Sequence, residues 1–264
     1  MLQIENLNKT FNPGTAIENH ALHSISLTLA KGDYVTLIGG NGAGKSTLLH
    51  SVAGTHYPDT GSITINDVNV THLPEHKRAA YLGRVFQDPM MGSASNMAIE
   101  ENLALAYRRG KRRGLRWHIS ASERELYRER LSTLELGLED RLSDKVGLLS
   151  GGQRQALTLV MATLKEPHVL LLDEHTAALD PKTAPRVLEI GDRIIKKYNL
   201  TTMMVTHNMS DAIKRGNRLV MMNNGRVVFD ISGEEKANLT VKDLIAKFSE
   251  VSTEEFSHGQ SLLN

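Results

Sequence analysis

An α/β fold, with a largely parallel sheet, an antiparallel β portion and an inserted helical stretch, follows from three patterns in this 264-residue chain. The later segments alternate apolar strand and helix, which is the rhythm of a parallel sheet. The early segments alternate on a two-residue period instead, with Ile25, Leu27 and Leu29 in one and Ile63 and Ile65 in another, as in half-exposed antiparallel strands. Between Gln87 and Ser150 strand signals stop and helical patterns replace them.

Taken in order, Asn12-Pro13-Gly14 marks a turn between two of the early strands. Tyr34-Val35-Thr36-Leu37-Ile38 reads as a buried strand, and Ser46 to Ala53 reads as a helix stopped by Gly54. Between them, Gly39-Gly40-Asn41-Gly42-Ala43-Gly44-Lys45-Ser46-Thr47 fits G-x-x-x-x-G-K-[ST]. Average residue usage gives such a match by chance in roughly 1% of chains this long. The strand before and the helix after set aside the alternative of a glycine-rich turn. Strand, glycine loop and helix form a phosphate cradle: glycines let the backbone wrap phosphate oxygens, and free N–H groups at the helix start attract negative charge. Lys45 then reaches the β- and γ-phosphates and the Ser46 hydroxyl ligates Mg²⁺.

Met97 to Tyr107 and Ser122 to Leu136 read as helices, the second opened by a Ser122-x-x-Glu125 capping box. Gly151-Gly152 opens a helix from Gln153 to Leu164, whose first N–H groups face an anion. Val169-Leu170-Leu171-Leu172 is a strand buried on both faces, and Asp173-Glu174 ends it where open α/β sheets bind ligands. Thr202 to Thr206 is a further apolar strand, followed by His207. Asn217 to Asn223 and Arg226 to Ile231 form a hairpin around Asn224-Gly225. Val241 to Phe248 is a last helix, and Ser249 to Asn264 a polar tail.

Composition bounds the function. Lys+Arg 31 against Asp+Glu 30 gives a net charge of +1, so nothing calls for nucleic acid. Zero cysteines exclude a disulfide framework and a thiolate metal site. The start, Met1-Leu2-Gln3-Ile4-Glu5-Asn6, lacks the segments of a signal peptide. No apolar run approaches the roughly 18 residues that span a bilayer. The expectation is a cytoplasmic protein that reaches the membrane only through a partner.

The phosphate loop, the run Leu149-Ser150-Gly151-Gly152-Gln153 and the order of the remaining motifs resemble the ATP-binding-cassette ATPases along nearly the whole chain. The resemblance implies a P-loop NTPase (RecA-like) core with an antiparallel β subdomain and an inserted helical subdomain. Residues 1–88 and 157–235 would form the core and β portion, 89–156 the helical signature subdomain, and 236–264 a C-terminal helix and tail. It implies that Gly39 to Thr47 bind ATP, that Asp173 holds Mg²⁺ together with Ser46, and that Glu174 polarises the attacking water. Gln87 matches the glutamine that senses Mg²⁺ and the γ-phosphate, His207 the histidine on the γ-phosphate, and Asp180 the acidic loop at the dimer interface. Phe11, 28 residues before Gly39, stands where an aromatic stacks on adenine; a core phenylalanine is the alternative. Ser150, Gly151, Gly152 and Gln153 would cover the ATP of a second copy in a head-to-tail homodimer.

The expected activity is ATP hydrolysis that powers an importer by closing and opening that dimer, with an integral membrane permease as partner and an extracytoplasmic binding protein acting indirectly. A soluble iron–sulfur assembly ATPase and an unfused exporter ATPase are the alternatives. A chromosome-maintenance ATPase is excluded, because only 105 residues separate Lys45 from Ser150 and leave no room for a long coiled coil. Two features depart from the common pattern. His175 stands where most relatives have proline after the glutamate, and the simplest reading is an outward-facing ring without effect. The run Asp173 to Ala184 resembles an importer subgroup that often carries aromatic amino acids. Arg108, Arg109, Lys111, Arg112, Arg113 and Arg116 crowd around Gly110 and Gly114 beside Trp117, as either a solvated loop or a contact with anionic lipid.

Overall fold

The computed structural model describes residues 1–110 and 119–250. Lys111, Arg112, Arg113, Arg116 and Trp117 of the basic cluster lie outside the described residues, as does most of the polar tail. In chain order the strands are β1 (Leu2–Phe11), β2 (Asn19–Leu29), β3 (Tyr34–Ile38), β4 (Thr60–Ile65), β5 (Val68–Asn69), β6 (Leu82–Val85), β7 (Val169–Asp173), β8 (Thr202–Val205), β9 (Arg218–Asn223) and β10 (Arg226–Ser232). The helices are α1 (Lys45–Ala53), α2 (Glu75–Arg78), α3 (Ile99–Tyr107), α4 (Ala121–Ser132), α5 (Gly151–Thr163), α6 (Thr183–Tyr198), α7 (Met209–Lys214) and α8 (Gly233–Ala237). Residues 241–250 are helical as well.

Two sheets organise these elements. One is antiparallel, in the order β2-β1-β4-β5; the other has the order β10-β9-β3-β8-β7-β6. The second is parallel except for β10, which pairs antiparallel with β9. The pleat of β7 explains its unbroken apolar run. Val169 and Leu171 pack toward the antiparallel sheet and α1, whereas Leu170 and Leu172 pack toward the helices α3 to α6. Both faces of the central strands are therefore dry, and their polar ends are left for chemistry. Helix α5 crosses residue 157 without a break and belongs to the cluster that also holds α3 and α4.

Local chemistry corrects several expected boundaries. Helix α4 is capped by Ser120, whose hydroxyl accepts the Glu123 N–H at 3.2 Å while Glu123 accepts the Ser120 N–H at 2.8 Å, so the capping box is not Ser122 with Glu125. Arg108 also pairs with Glu123 at 3.2 Å, which favours this register. The same helix ends at Ser132 rather than Leu136, and Glu135 turns the chain with a positive φ of 56°. Helix α3 begins at Ile99 instead of Met97. The Met97 carbonyl accepts the Val146 N–H, and Ala98 bridges Lys145 in extended form.

Candidate functional site

The register of the parallel strands gathers the predicted site at one sheet edge. Leu37 and Asp173 both lie opposite Val205, and Val85 lies opposite Leu172. The loops after β3, β8, β7 and β6 therefore leave side by side, at the carboxyl ends where α/β sheets bind ligands. The phosphate loop follows β3 and feeds α1. Gly39 is required there: its φ is 152°, and a Cβ on it would lie 2.2 Å from the Met222 carbonyl oxygen. Lys45 is buried, and its Nζ donates to the Gly39 and Gly40 carbonyls at 2.9 Å each. Burial pushes this ammonium down, while the carboxylate of Glu174 pulls it back up.

A cavity of about 230 Å³ is lined by Asn41, Gly42, Ala43, Gly44, Lys45, Ser46 and Thr47, with Asn19, Ala21, Glu174 and His207. Glu174 and His207 thus face the same space as the phosphate cradle. His207 Nε2 lies 2.6 Å from Glu174 Oε1. Glu174 adopts a left-handed φ of 43°, and its N–H donates to the Val205 carbonyl at 3.1 Å, so strand β8 fixes the turn that presents the carboxylate.

Asp173 has partners that sequence reasoning missed. Its Oδ2 lies 3.4 Å from Arg84 Nη2 of β6 and 3.5 Å from His50 Nε2 of α1. Burial would raise its carboxyl, but the His50 hydrogen bond and the Arg84 charge outweigh that and hold it below the usual carboxylate range. A lone arginine in the apolar strand Leu82-Gly83-Arg84-Val85 was the available signal. The ionised Asp173 carboxylate, the Ser46 hydroxyl and the Gln87 carboxamide make an all-oxygen donor set, the chemistry that Mg²⁺ prefers.

Other predicted residues sit apart from the cradle. Gln87 is exposed beyond the end of β6. The neighbouring Phe86 carbonyl accepts a 3.0 Å hydrogen bond from buried Gln155 of α5, a tie between the two loops that no motif had suggested. Ser150 caps α5: its hydroxyl accepts the Gln153 N–H at 3.3 Å, and Gln153 Oε1 accepts the Ser150 N–H at 3.1 Å. Gly152 must lack a side chain, because a Cβ would lie 2.1 Å from Thr183 Cγ2. Ser150 and Gly151 are exposed, and none of the Ser150 to Gln153 run lines the phosphate cavity. Asp180 caps α6 by accepting the Lys182 and Thr183 N–H groups at 3.1 and 3.0 Å. The Phe11 ring packs edge-on against His56 at 5.2 Å and does not line the cavity.

Two expectations need correction. His175 does not face outward; it is 2% exposed. In the basic cluster, Arg108 pairs with Glu123 and Arg109 Nη2 donates to the Ala162 carbonyl at 3.0 Å, so these two cations are committed to the protein itself.

Comparison with known proteins agrees with this geometry. A model of the ABC transporter family matches residues 22–177. The chain is 44% identical, over 94% of its own length and 98% of the other's, to a tyrosine transport ATP-binding protein of Clostridioides difficile. It is 34% identical to a methionine import ATP-binding protein of Lactobacillus johnsonii over 80% of its length, which spans 60% of that protein. Among solved structures, a dimeric ATP-binding cassette in a post-hydrolysis state bound to ADP and Pi superposes with a TM-score of 0.74 at 26% identity, covering 88% of this chain and 98% of that one.

Proposed function

The chain belongs to the ABC transporter family as an ATP-binding, ATP-hydrolysing subunit, and on that premise we propose that it powers an importer of amino acids, aromatic ones first among them. The observation that carries the substrate class is the 44% identity, along nearly the whole chain, to a tyrosine transport ATP-binding protein. The active unit is a head-to-tail homodimer, a reading supported by the dimeric cassette that the fold matches. Ser150, Gly151, Gly152 and Gln153 present an exposed, capped helix start to the nucleotide of the second copy, and Asp180 stands beside that interface.

In each composite site the backbone of Gly39 to Thr47 wraps the phosphates and Lys45 neutralises their charge. Phe11 takes the adenine face. Ser46, Gln87 and Asp173 hold Mg²⁺, which when bound offsets negative charge on the phosphate oxygens. Glu174 orients the water for in-line attack on the γ-phosphate, and His207 holds the carboxylate in place while donating to the phosphate. Loss of the γ-phosphate removes the charge that joined the two copies, and the dimer opens.

That motion is delivered to a membrane permease, with an extracytoplasmic binding protein supplying substrate, and the subunit sits on the inner face of the cell membrane. Among the described residues no helix is long and apolar enough to cross a membrane. A hollow of about 250 Å³ lined by Phe86, Met91, Ala106, Met161 and Ala162, with Met91 exposed, supports a permease contact beside the Gln87 loop. Anionic lipid contact would fall to Lys111, Arg112, Arg113 and Arg116. Uptake of labelled tyrosine, tryptophan and phenylalanine by cells lacking the chain tests the assignment. Complementation by the wild type and not by Glu174→Gln is expected, and unchanged uptake of all three without the chain would overturn the substrate class.

A further inference from the structure

His175 follows Glu174 and is buried beneath the turn that presents it. Its neighbourhood is a cavity of about 260 Å³ bounded by that turn, by Ala184 and Leu188 of α6, and by Asn208 and Asp211 at the start of α7. Two buried polar atoms here have no hydrogen-bond partner among the described residues: His175 Nε2 and Arg215 Nε. Arg215 is otherwise anchored. Its Nη1 donates to Asp192 of α6, and its Nε lies 3.6 Å from Asp211 Oδ1, beyond hydrogen-bond reach. Burial, helped by the Arg215 charge, pushes the His175 imidazole down to about 4, so the ring is neutral at pH 7.

A neutral imidazole offers a lone pair on one nitrogen, whereas a guanidinium Nε offers only a proton. The two orphaned atoms are therefore complementary. Buried polar atoms are seldom left unpaired, and one trapped water with two to four polar partners is the usual remedy. We propose that His175 is a positioning residue: its Nε2, Arg215 Nε–H and the Asp211 carboxylate share one internal water, and this link holds the turn that aims Glu174. Proline at this place would stiffen the turn through its ring; His175 ties it instead to Arg215 beyond the end of α7. The Glu174–His207 pair is then held from both sides, by the β7 turn and by the helix that follows His207. The inference rests on Glu174 acting on the attacking water.

The ATPase of the full-length protein tests it. His175→Phe keeps the ring and removes the acceptor; it should lower kcat about tenfold and leave KM for ATP within about twofold, the signature of a group felt only in the transition state. His175→Gln returns an acceptor near the Nε2 position and should recover most of the loss. His175→Phe combined with Arg215→Met should be no slower than the slower single variant, since both break one link. Normal turnover in His175→Phe, no recovery in His175→Gln, or losses that multiply would each overturn the link. Nitrogen-15 spectra of histidine-labelled wild-type protein need no variant to be active. They should place the His175 proton on Nδ1, the signal being recognised by its loss in His175→Gln, and a proton on Nε2 would overturn the proposal. Glu174→Gln measured alongside separates the two ideas. Near-normal turnover there removes the role of Glu174, whereas lost turnover there with normal turnover in His175→Phe removes only the link.

Discussion

Replacing Arg78 with methionine should loosen the helix that carries the phosphate-binding lysine. Arg78 is fully buried, and its guanidinium serves four backbone carbonyls: Nε donates to Leu73 at 2.8 Å, Nη1 to Ser51 at 2.5 Å and Val52 at 3.0 Å, and Nη2 to Thr71 at 2.7 Å. Ser51 and Val52 lie in the last turn of α1, whose carbonyls have no partner within the helix. The positive charge also sits at the negative end of the helix dipole. A net worth of about 1 kcal/mol for each hydrogen bond, less what the methionine stem regains by packing, gives a loss of about 3 kcal/mol. For a chain of this length that corresponds to a melting midpoint lowered by roughly 6–12 °C. Because Lys45 is the first residue of α1, the dissociation constant for ATP should rise as well. Thermal unfolding followed by circular dichroism, with and without ATP, reads both effects. A midpoint within about 2 °C of the wild type would mean that desolvation of the guanidinium cancels its hydrogen bonds, and would refute this account of the α1 anchor.

Two further outcomes are expected. Lys236 is buried, donates to the Arg215 and Gly216 carbonyls, and has its ammonium pushed down to about 8 by burial. The unfolded chain therefore binds more protons between about 8 and 10.5, so this lysine makes stability rise with pH across that window, and Lys236→Met should flatten the rise in a series of thermal midpoints. Lys45→Ala and Ser150→Arg should each be inactive as homodimers. Mixed, they assemble heterodimers with one intact composite site, and partial recovery of ATPase is expected; crosslinking of Ser150 to the facing phosphate loop distinguishes a wrong geometry from a requirement for two working sites.

What could be read from the chain alone was what a short segment decides for itself. The cradle is legible because glycine spacing, a preceding strand and a following helix are one contiguous pattern, and Asp173-Glu174 because an apolar run ends on two carboxylates. The signature helix is legible because Ser150 and Gln153 satisfy one another within a single turn. The misplaced cap of α4 shows the limit. Ser120 and Ser122 each have a glutamate three residues on, and only Arg108, from another helix end, selects Glu123. Arg84 and His50 around Asp173 were hidden for the same reason, since they arrive from β6 and α1. The burial of His175 depends on where α6 and α7 meet the turn, which no local pattern encodes.

The hydrolysis of ATP by Glu174→Gln tests the central claim most directly. Carboxamide for carboxylate keeps the shape of the side chain and its reach to His207 Nε2, now 2.6 Å from Oε1, but cannot draw a proton from water. Single-turnover hydrolysis should fall at least ~100-fold while ATP binding survives, and the variant should elute as an ATP-dependent dimer. Turnover close to that of the wild type, with no ATP-dependent dimer, would contradict the assignment of Glu174 and the composite site together.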